Sequence, residues 1–271
     1  MSPSTMRPWR KAALGLALCL AACAETPPPT TTAPAPAAAL EPEASAALRR
    51  MSATLTGAAA FTLRVNTLRE APAAPGQTIL LSGTTAIAIR RPDRLYASTG
   101  SDLGSFNLWY DGRSFTALNT HQNIFASEAL TGPLEPALHA VQERLGVALP
   151  ILPLFAADPY ATLTPPGTTG RRIGRSIIRD VVVEHFALNG PNGHWEIWLE
   201  AAASGLPLRV SYVEPGPERL RVILDFETWD LRPRLPESTF AFTPPPDAAR
   251  ASFLPPGQSP AAAALTRRTT P

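Results

Sequence analysis

Four histidines and their acidic neighbours are the side chains in this sequence most able to bind a metal or to catalyse proton transfer. His194 and Glu196 are two residues apart in a predicted strand, so they share a face, as metal ligands must. That face is opposite Trp195 and Ile197, which favours a solvated outer surface. His185 alternates with apolar residues and is expected to face the interior, where a lone histidine is more often a core or cavity-rim residue than a ligand.

Candidate nucleophiles are also few in this sequence. Ser82 and Ser204 each precede a glycine but lack the strand, elbow and helix that surround a hydrolase serine. Lys11 is the only lysine in the chain, and its position near the N-terminus removes Schiff-base chemistry from the rest. We therefore predict no enzyme, no metal site and no cofactor.

Cys23 has the clearest chemical role, because it follows a segment typical of an export signal. Residues 1–11 carry three positive charges, and residues 12–22 are apolar but shorter than the roughly 20 residues of a transmembrane helix. The sequence Leu-Ala-Ala-Cys at 20–23 resembles a lipobox, whose cysteine becomes the acylated N-terminus. An ordinary secretory signal cleaved after Ala22 or Ala24 is the alternative. We predict a lipoprotein signal peptide over 1–22 and a lipid anchor, including palmitate, on Cys23.

The segment that follows is suited to hold a domain away from a membrane. Residues 23–43 are rich in Pro, Ala and Thr, a composition that stays extended and buries no core. Ala24, in place of Asp, favours the outer membrane by resemblance to Gram-negative sorting. The prediction is a protein anchored on the periplasmic side of the outer membrane of a Gram-negative envelope.

Charge and cysteine content narrow the partners further. Without the leader, 21 basic and 22 acidic residues remain, with no block of like charge. Nucleic-acid binding is therefore not expected, since it requires clustered Lys and Arg. Cys19 would be removed with the leader, so no disulfide can form. We expect a monomer whose partners are the membrane, through the anchor, and a lipid or lipoprotein ligand.

Apolar and polar residues alternate with a period of two through most of residues 61–243, as in strands with one buried face. Asp111-Gly112 predicts a two-residue type I′ hairpin turn, because both positions of that turn need positive φ. Short turns between successive strands indicate an antiparallel meander and exclude a Rossmann or P-loop enzyme. The predicted strands are 61–65, 78–89, 95–99, 106–110, 114–119, 123–127, 174–188, 194–199, 208–213, 220–227 and 239–243.

Two segments depart from this period. Residues 44–56 have helical spacing, and residues 133–146 form an amphipathic helix with a proline in the first turn and a glycine at the end. The second helix leads into an apolar run at 147–155 that Pro150 and Pro153 prevent from forming a simple strand. This insertion must lie over the apolar face of the sheet, either as a plug that completes the core or as a lid over a cavity.

Four short motifs follow one another along the predicted strands: Arg-Pro-Asp-Arg-Leu at 91–95, Tyr-Asp-Gly-Arg-Ser at 110–114, Leu-Pro-Leu-Arg at 206–209 and Phe-Ala-Phe-Thr-Pro-Pro at 240–245. In this order they resemble the LolA/LolB-like lipoprotein-carrier superfamily, and within it an uncharacterised family of predicted periplasmic proteins. The resemblance implies an α+β fold in which an incomplete antiparallel β-barrel of about eleven strands wraps around a helical lid. It places this domain at 44–245. The composition of residues 246–271 separately predicts a disordered tail.

The interior that the resemblance implies is apolar and able to take lipid acyl chains. We predict that the protein binds such a ligand between the sheet and the lid. The alternative is a structural or accessory envelope protein that docks on a partner and has a filled interior. The predicted cavity lining is Phe61, Leu63, Val65, Ile87, Ile89, Leu138, Val141, Val183, His185, Trp195, Ile197, Leu199, Val222 and Leu224.

Overall fold

The computed structural model describes residues 39–145, 151–191, 193–214 and 218–253. The predicted signal peptide, Cys23 and the tether up to residue 38 lie outside the described residues, as do residues 254–271 of the predicted tail. The last part of the predicted tether is ordered. Leu40 forms a parallel bridge with Gly170, and the first helix begins at Pro42.

The described residues contain twelve strands in one sheet. Its order is β12-β6-β5-β4-β3-β2-β1-β11-β10-β9-β8-β7, so β12 and β7 are the edges. All pairs are antiparallel except β12 with β6. The strands are β1 (Ala60–Ala74), β2 (Gln77–Arg90), β3 (Arg94–Ser101), β4 (Gly104–Tyr110), β5 (Ser114–Asn119), β6 (Ile124–Ala129), β7 (Thr169–Ile178), β8 (Val181–Gly190), β9 (Gly193–Glu200), β10 (Pro207–Val213), β11 (Arg221–Asp230) and β12 (Ala249–Ala251).

Two meanders meet at the long hairpin of β1 and β2. One runs from β2 to β6, and the other runs from β7 to β11 and ends by pairing β11 with β1. Register shifts at Arg64/Val65, Arg172/Gly174 and Pro207/Arg209 mark irregularities that let strands bend. The sheet is open and not closed into a barrel, which confirms the predicted fold class with twelve described strands in place of about eleven.

Among the described residues, four helices cover one face of the sheet: α1 (Pro42–Gly57), α2 (Leu134–Leu145), α3 (Leu152–Phe155) and α4 (Pro159–Leu163). In α1 the buried residues recur at helical spacing, and α2 buries the predicted stripe of Leu134, Ala137, Leu138 and Val141. The Asp158 carboxylate caps α4 by accepting from the Ala161 amide. Within the described ranges no helix has both the length and the apolar character to cross a bilayer.

The chain after β11 differs from the prediction. Residues 239–243 form no strand. A 3-10 turn at Glu237–Thr239 precedes them, and Phe242 packs on Trp109 and Phe125. The predicted disordered tail was wrong for 246–253, because β12 pairs with β6 there and Phe253 contacts the buried Phe115.

Two turns also differ from the prediction. In the turn at Asp111-Gly112, only Gly112 has positive φ, and the Asp111 carboxylate accepts from the amides of Arg113 and Ser114. It is an Asx-type turn and not the predicted type I′ turn. The predicted single strand at 174–188 is two strands, because Arg179 and Asp180 both adopt positive φ and form a tight turn without glycine.

Candidate functional site

The strand residues that face the helices form what we call the inner face of the sheet, and the opposite side is the outer face. Alternation along β1 and β2 places Phe61, Leu63 and Val65 on the inner face, each buried. Ile87 and Ile89 lie opposite them on β2. The helices press on this part of the inner face and leave the part nearer the β1–β2 turn uncovered.

Over this part of the inner face the helices do not touch the sheet. A cleft of about 700 Å³ remains between the sheet and α2, α3 and α4. Its size is in the range typical of small-molecule sites. Strands from both meanders contribute, so the cleft spans the centre of the sheet. The described lining residues are Thr67, Arg69, Leu81, Ser82, Gly83, Thr85, Thr99, Ser101, Leu103, His139, Gln142, Leu152, Pro153, Ala156, Thr162, Leu163, Trp195, Tyr212, Glu214 and Val222.

A smaller hollow of about 110 Å³ adjoins the cleft beneath α2 and α3. The two spaces share Thr67, Thr85, Thr99 and Leu152 in their walls. Elsewhere the hollow is lined by aliphatic and aromatic side chains such as Leu138. An elongated apolar group could therefore enter the cleft and extend its end into the hollow.

The sheet side of the cleft carries small polar groups. The hydroxyls of Thr85 and Thr99 are 3.0 Å apart across β2 and β3, so one donates a hydrogen bond to the other within the wall. Gly83 has no side chain there, and a Cβ atom at this position would lie 3.0 Å from Cβ of Ser101. The sheet side of the cleft is therefore formed by small side chains and is weakly polar.

Aromatic and charged groups form the opposite end of the cleft. The rings of Trp195 and Tyr212 stack with centroids 4.8 Å apart, and Arg69 Nη2 lies 3.0 Å from Glu214 Oε2. Burial raises the pKa of Tyr212 far above its usual value, with Glu214 acting in the same direction and Arg69 against it. The Tyr212 phenol therefore stays protonated at neutral pH and remains a hydrogen-bond donor.

The structure separates the predicted lining residues into groups. Trp195 and Val222 line the cleft, and Val65, Ile87, Leu138 and Leu224 line the smaller hollow. Six others are at most 3 % exposed and pack within the core: Phe61, Leu63, Ile89, Val141, Ile197 and Leu199.

Val183 and His185 lie on the outer face, away from the cleft, contrary to the prediction. In the pairing of β8 with β9, Phe186 is opposite Ile197 and His185 is opposite Trp198. Glu184 therefore takes the inner position, where it is tolerated because arginines surround it. Alternation placed the valines of β8 on the inner face and Glu184 on the outer face, whereas the ion pairs with arginines place Glu184 on the inner face. Val183 is fully buried although it lies away from the cleft.

His185 belongs to a polar network on the outer face. Its ring stacks on Trp198 at 4.0 Å, and its Nε2 lies 3.2 Å from Glu196 Oε2. Arg221 Nη1 contacts the other Glu196 oxygen at 2.9 Å and the Ser211 hydroxyl at 2.8 Å. Burial lowers the pKa of His185, and this effect outweighs the opposing influence of Glu196.

The remaining histidines do not meet at one site. His194 and His121 are exposed at the ends of strands, and His139 is exposed on α2 at the edge of the cleft. Within the described ranges, no three His, Cys, Asp or Glu side chains are grouped closely enough to hold a metal ion.

Sequence reasoning missed the polar part of the cleft wall, including Thr67, Thr85 and Gln142. The prediction selected the most apolar inward residues, and these are the residues that pack against each other. The available signal was the change along β1 from Phe61, Leu63 and Val65 to Thr67 and Arg69 at successive inward positions.

Residues 44–254 match a family model described as "Predicted periplasmic protein (DUF2092)". The match covers nearly all of the described residues. It confirms the assignment, made from the sequence motifs, to an uncharacterised family of predicted periplasmic proteins. No protein with a curated description matches the sequence.

Solved structures with a similar chain path share little sequence with this chain. An uncharacterised conserved protein from Thermus thermophilus is 11% identical, with 78% of this chain and 99% of that chain covered and a TM-score of 0.44. Lipoprotein LppX from Mycobacterium tuberculosis is 13% identical, with 70% and 96% covered and a TM-score of 0.43. LprF from Mycobacterium bovis is 11% identical, with 78% and 100% covered and a TM-score of 0.44.

Proposed function

For this chain, which belongs to the DUF2092 family of predicted periplasmic proteins, we propose that it binds an apolar ligand, a lipid or the acyl chain of a lipoprotein, in the cleft. The observation that carries the proposal is the wall that the cleft and the smaller hollow share. The cleft has a mainly apolar wall that carries a few polar groups, including Arg69, Gln142 and Glu214, and the hollow beside it is apolar. An amphipathic molecule with a polar head and a hydrocarbon tail matches this order of surfaces.

The arrangement of the walls supports binding without covalent chemistry. Leu152, Leu163 and Val222 offer apolar contact, and burial of apolar area provides the main favourable free energy. The Thr85 and Thr99 hydroxyls form one hydrogen bond with each other, which lowers the cost of placing an apolar tail beside them. We propose a binding protein and not an enzyme.

We further propose that the leader is removed, that Cys23 carries the lipid, and that the protein is held on the periplasmic side of the outer membrane. The support is the lipobox-like sequence at 20–23, the Ala24 that follows it and the Pro-rich segment beyond. Mass spectrometry of the protein isolated from its own envelope tests this directly. The expected mass is that of a chain beginning at an acylated Cys23.

Native mass spectrometry of the same preparation tests for a bound ligand. We expect a co-purifying lipid, released on unfolding, and uptake of a fluorescent fatty acid by the delipidated protein. If the protein is empty and takes up no probe, the ligand-binding proposal is wrong. The docking alternative would then be preferred.

A pair of variants on one strand locates the binding site. In Thr67→Trp the large ring would fill the cleft from the sheet side, because Thr67 lies in the walls of both the cleft and the hollow. We expect probe affinity to fall by about tenfold or more, since the ligand and the ring cannot occupy one volume.

The matched control is Leu68→Trp, which adds a similar ring at the next residue but on the outer face, where Leu68 is 38% exposed. Its probe affinity should equal that of the unaltered protein. Equal loss in both variants, or in neither, would place the probe elsewhere.

A further inference from the structure

A second pocket, separate from the cleft, lies between α1 and the β7–β8 hairpin. Its volume is about 480 Å³, and its walls carry three arginines with the apolar side chains of Ala46, Ala47 and Phe186. Arg50 comes from α1, whereas Arg172 and Arg175 come from β7, so two elements bring the guanidinium groups together. The lining also includes the carboxylates of Glu43 and Glu184.

The Glu184 carboxylate lies within ion-pair distance of all three arginines, but the lengths of these contacts differ. Arg175 Nε and Nη2 both contact Glu184 Oε1, at 3.3 and 3.2 Å. Arg172 Nη2 lies 3.5 Å from the same oxygen, and Arg50 Nη2 lies 3.8 Å from Oε2. Two of the three guanidinium groups are therefore at ion-pair distance without a close hydrogen bond to Glu184.

The second carboxylate, that of Glu43, does not supply the hydrogen bonds that Arg50 and Arg172 lack. Glu43 is largely exposed, and its nearest oxygen is 3.9 Å from Arg172 Nε. Glu41, beside the pocket, already accepts the backbone amide of Arg172. In the part of the chain that is described, Arg50 Nε, Arg50 Nη2 and Arg172 Nε are buried and have no hydrogen-bond partner.

Buried donors without an acceptor are costly, and the lining residues carry one more positive than negative charge. The Glu184 carboxylate is hydrogen-bonded to Arg175 but makes only longer contacts with Arg50 and Arg172. A phosphate group has more acceptor oxygens, and arginine pairs with it through parallel N–H donors. We propose that this pocket binds a phosphate group, either free or on the head of a phospholipid, through Arg50, Arg172 and Arg175.

The first experiment is a titration of the protein, purified as the cell produces it, with inorganic phosphate, followed by ³¹P NMR and by thermal unfolding. Sodium chloride at the same ionic strength is the reference, so that general screening is subtracted. We expect saturable line broadening and a rise in Tm with phosphate alone. If the phosphate line shows no saturable broadening with the protein, and phosphate and chloride change Tm equally, the proposal is wrong.

Variants assign the signal to the pocket. Arg50→Gln and Arg172→Gln should each weaken phosphate binding by about tenfold, the size of one charged hydrogen bond lost. Arg64→Gln is the matched control, because Arg64 pairs with Glu227 on the outer face and should leave phosphate affinity unchanged. Equal binding by Arg50→Gln, Arg172→Gln and the unaltered protein would overturn the proposal.

Glu184→Gln separates a binding pocket from a purely structural ion-pair cluster. Removing the competing charge should tighten phosphate binding about five- to tenfold, as one Coulomb contact in a solvated pocket allows. Phosphate should then also recover the Tm that this variant loses. A destabilised Glu184→Gln protein that phosphate does not bind would show that the arginines serve only as counterions.

The source of the phosphate is distinguished by comparing inorganic phosphate with glycerophosphoglycerol, the soluble head of phosphatidylglycerol. Tighter binding of the diester, sensitive to Arg50→Gln, assigns the pocket to a lipid head group. Tighter binding of inorganic phosphate, with the same sensitivity, assigns it to a free anion. Absence of binding by both ligands contradicts the proposal.

Discussion

The inner face of the β1–β2 hairpin is closely packed against the helices at one end of the hairpin and open to a cleft at the other end. At the packed end, Phe61 is fully buried and its ring centroid lies 5.7 Å from that of Phe155 in α3. At the open end, the inward positions are held by Thr67, Arg69 and Gly83, and a cleft of about 700 Å³ remains. One pair of strands therefore serves as the wall of a core at one end and of a binding cleft at the other.

The difference shows that inward direction and burial are separate properties. Strand alternation sets the direction of each side chain, whereas burial depends on what is placed opposite it. The helices α2 and α3 are placed over the packed end, and beyond them the inward residues become smaller and more polar. Three predictions, from the largest expected effect to the smallest, test how the packed end and the outer face differ from the open end.

Phe61→Ala should cost about 3–5 kcal/mol in the free energy of unfolding, because it leaves a cavity in a close-packed core between Phe155 and Trp229. Thr67→Ala at the open end should lower the free energy of unfolding by no more than about 1 kcal/mol, because Thr67 is only half-buried. Urea unfolding of both variants measures the contrast. Similar losses at the two ends would show that the open end is packed in solution.

Tyr110→Phe tests how the helical layer is attached at the packed end. The buried Tyr110 hydroxyl donates to the carbonyl of Gly132 at 2.6 Å, which holds the segment that enters α2. Burial raises the pKa of Tyr110, so the donor is protonated at neutral pH. Its loss should cost about 1–1.5 kcal/mol by urea unfolding.

Tyr96→Phe is the control for that change. Tyr96 is half-buried on the outer face beside Trp109. Its effect on the free energy of unfolding should stay within about 0.5 kcal/mol. If Tyr96→Phe costs as much as Tyr110→Phe, the hydrogen bond to Gly132 is not what holds α2 to the sheet.

The smallest effect is a pH dependence from the outer face. The pKa of His185 is lowered from 6.5 in the folded protein, chiefly by burial, so the unfolded chain binds a proton more readily. Stability should therefore fall as the pH falls through the unfolded value towards the lower folded value, and the loss should be complete below it. His185→Gln should flatten the stability profile in this window.

Binding in the cleft should not depend on His185, because His185 lies on the outer face, away from the cleft. Since His139 lies in the cleft wall, the comparison is made between His185→Gln and the unaltered protein, with urea unfolding and probe affinity measured over the same pH range. A change in the pH dependence of probe affinity caused by His185→Gln would mean that the two faces are coupled.

Most strands could be predicted from the sequence, because a period of two is local and survives in any tertiary setting. The failures are equally physical. Arg179 and Asp180 form a turn that lacks the usual glycine, and the alternating Phe240 and Phe242 are separate anchors, with Phe240 beneath Arg90. Alternation in that segment reflects contact with the sheet and not pairing with a strand.

The candidate site was predicted only in part. The sequence indicated a cavity between sheet and lid, and Trp195, Val222 and four other residues of that prediction line the two connected spaces. It could not distinguish them from Phe61 or Ile197, which pack in the core, because both groups are apolar and point inward. The cleft residues Thr67 and Thr85 are weakly polar and carry no signal of their own.

By itself, the sequence determined the antiparallel meander, the amphipathic helix between its halves and the family of the protein, since each depends on local pattern or motif order. Only the tertiary structure decided which part of the inner face stays open and which arginines gather around Glu184. A cavity is the difference between the volume that distant elements enclose and the volume that their side chains fill. That difference depends on where helix and sheet meet, which no local pattern contains.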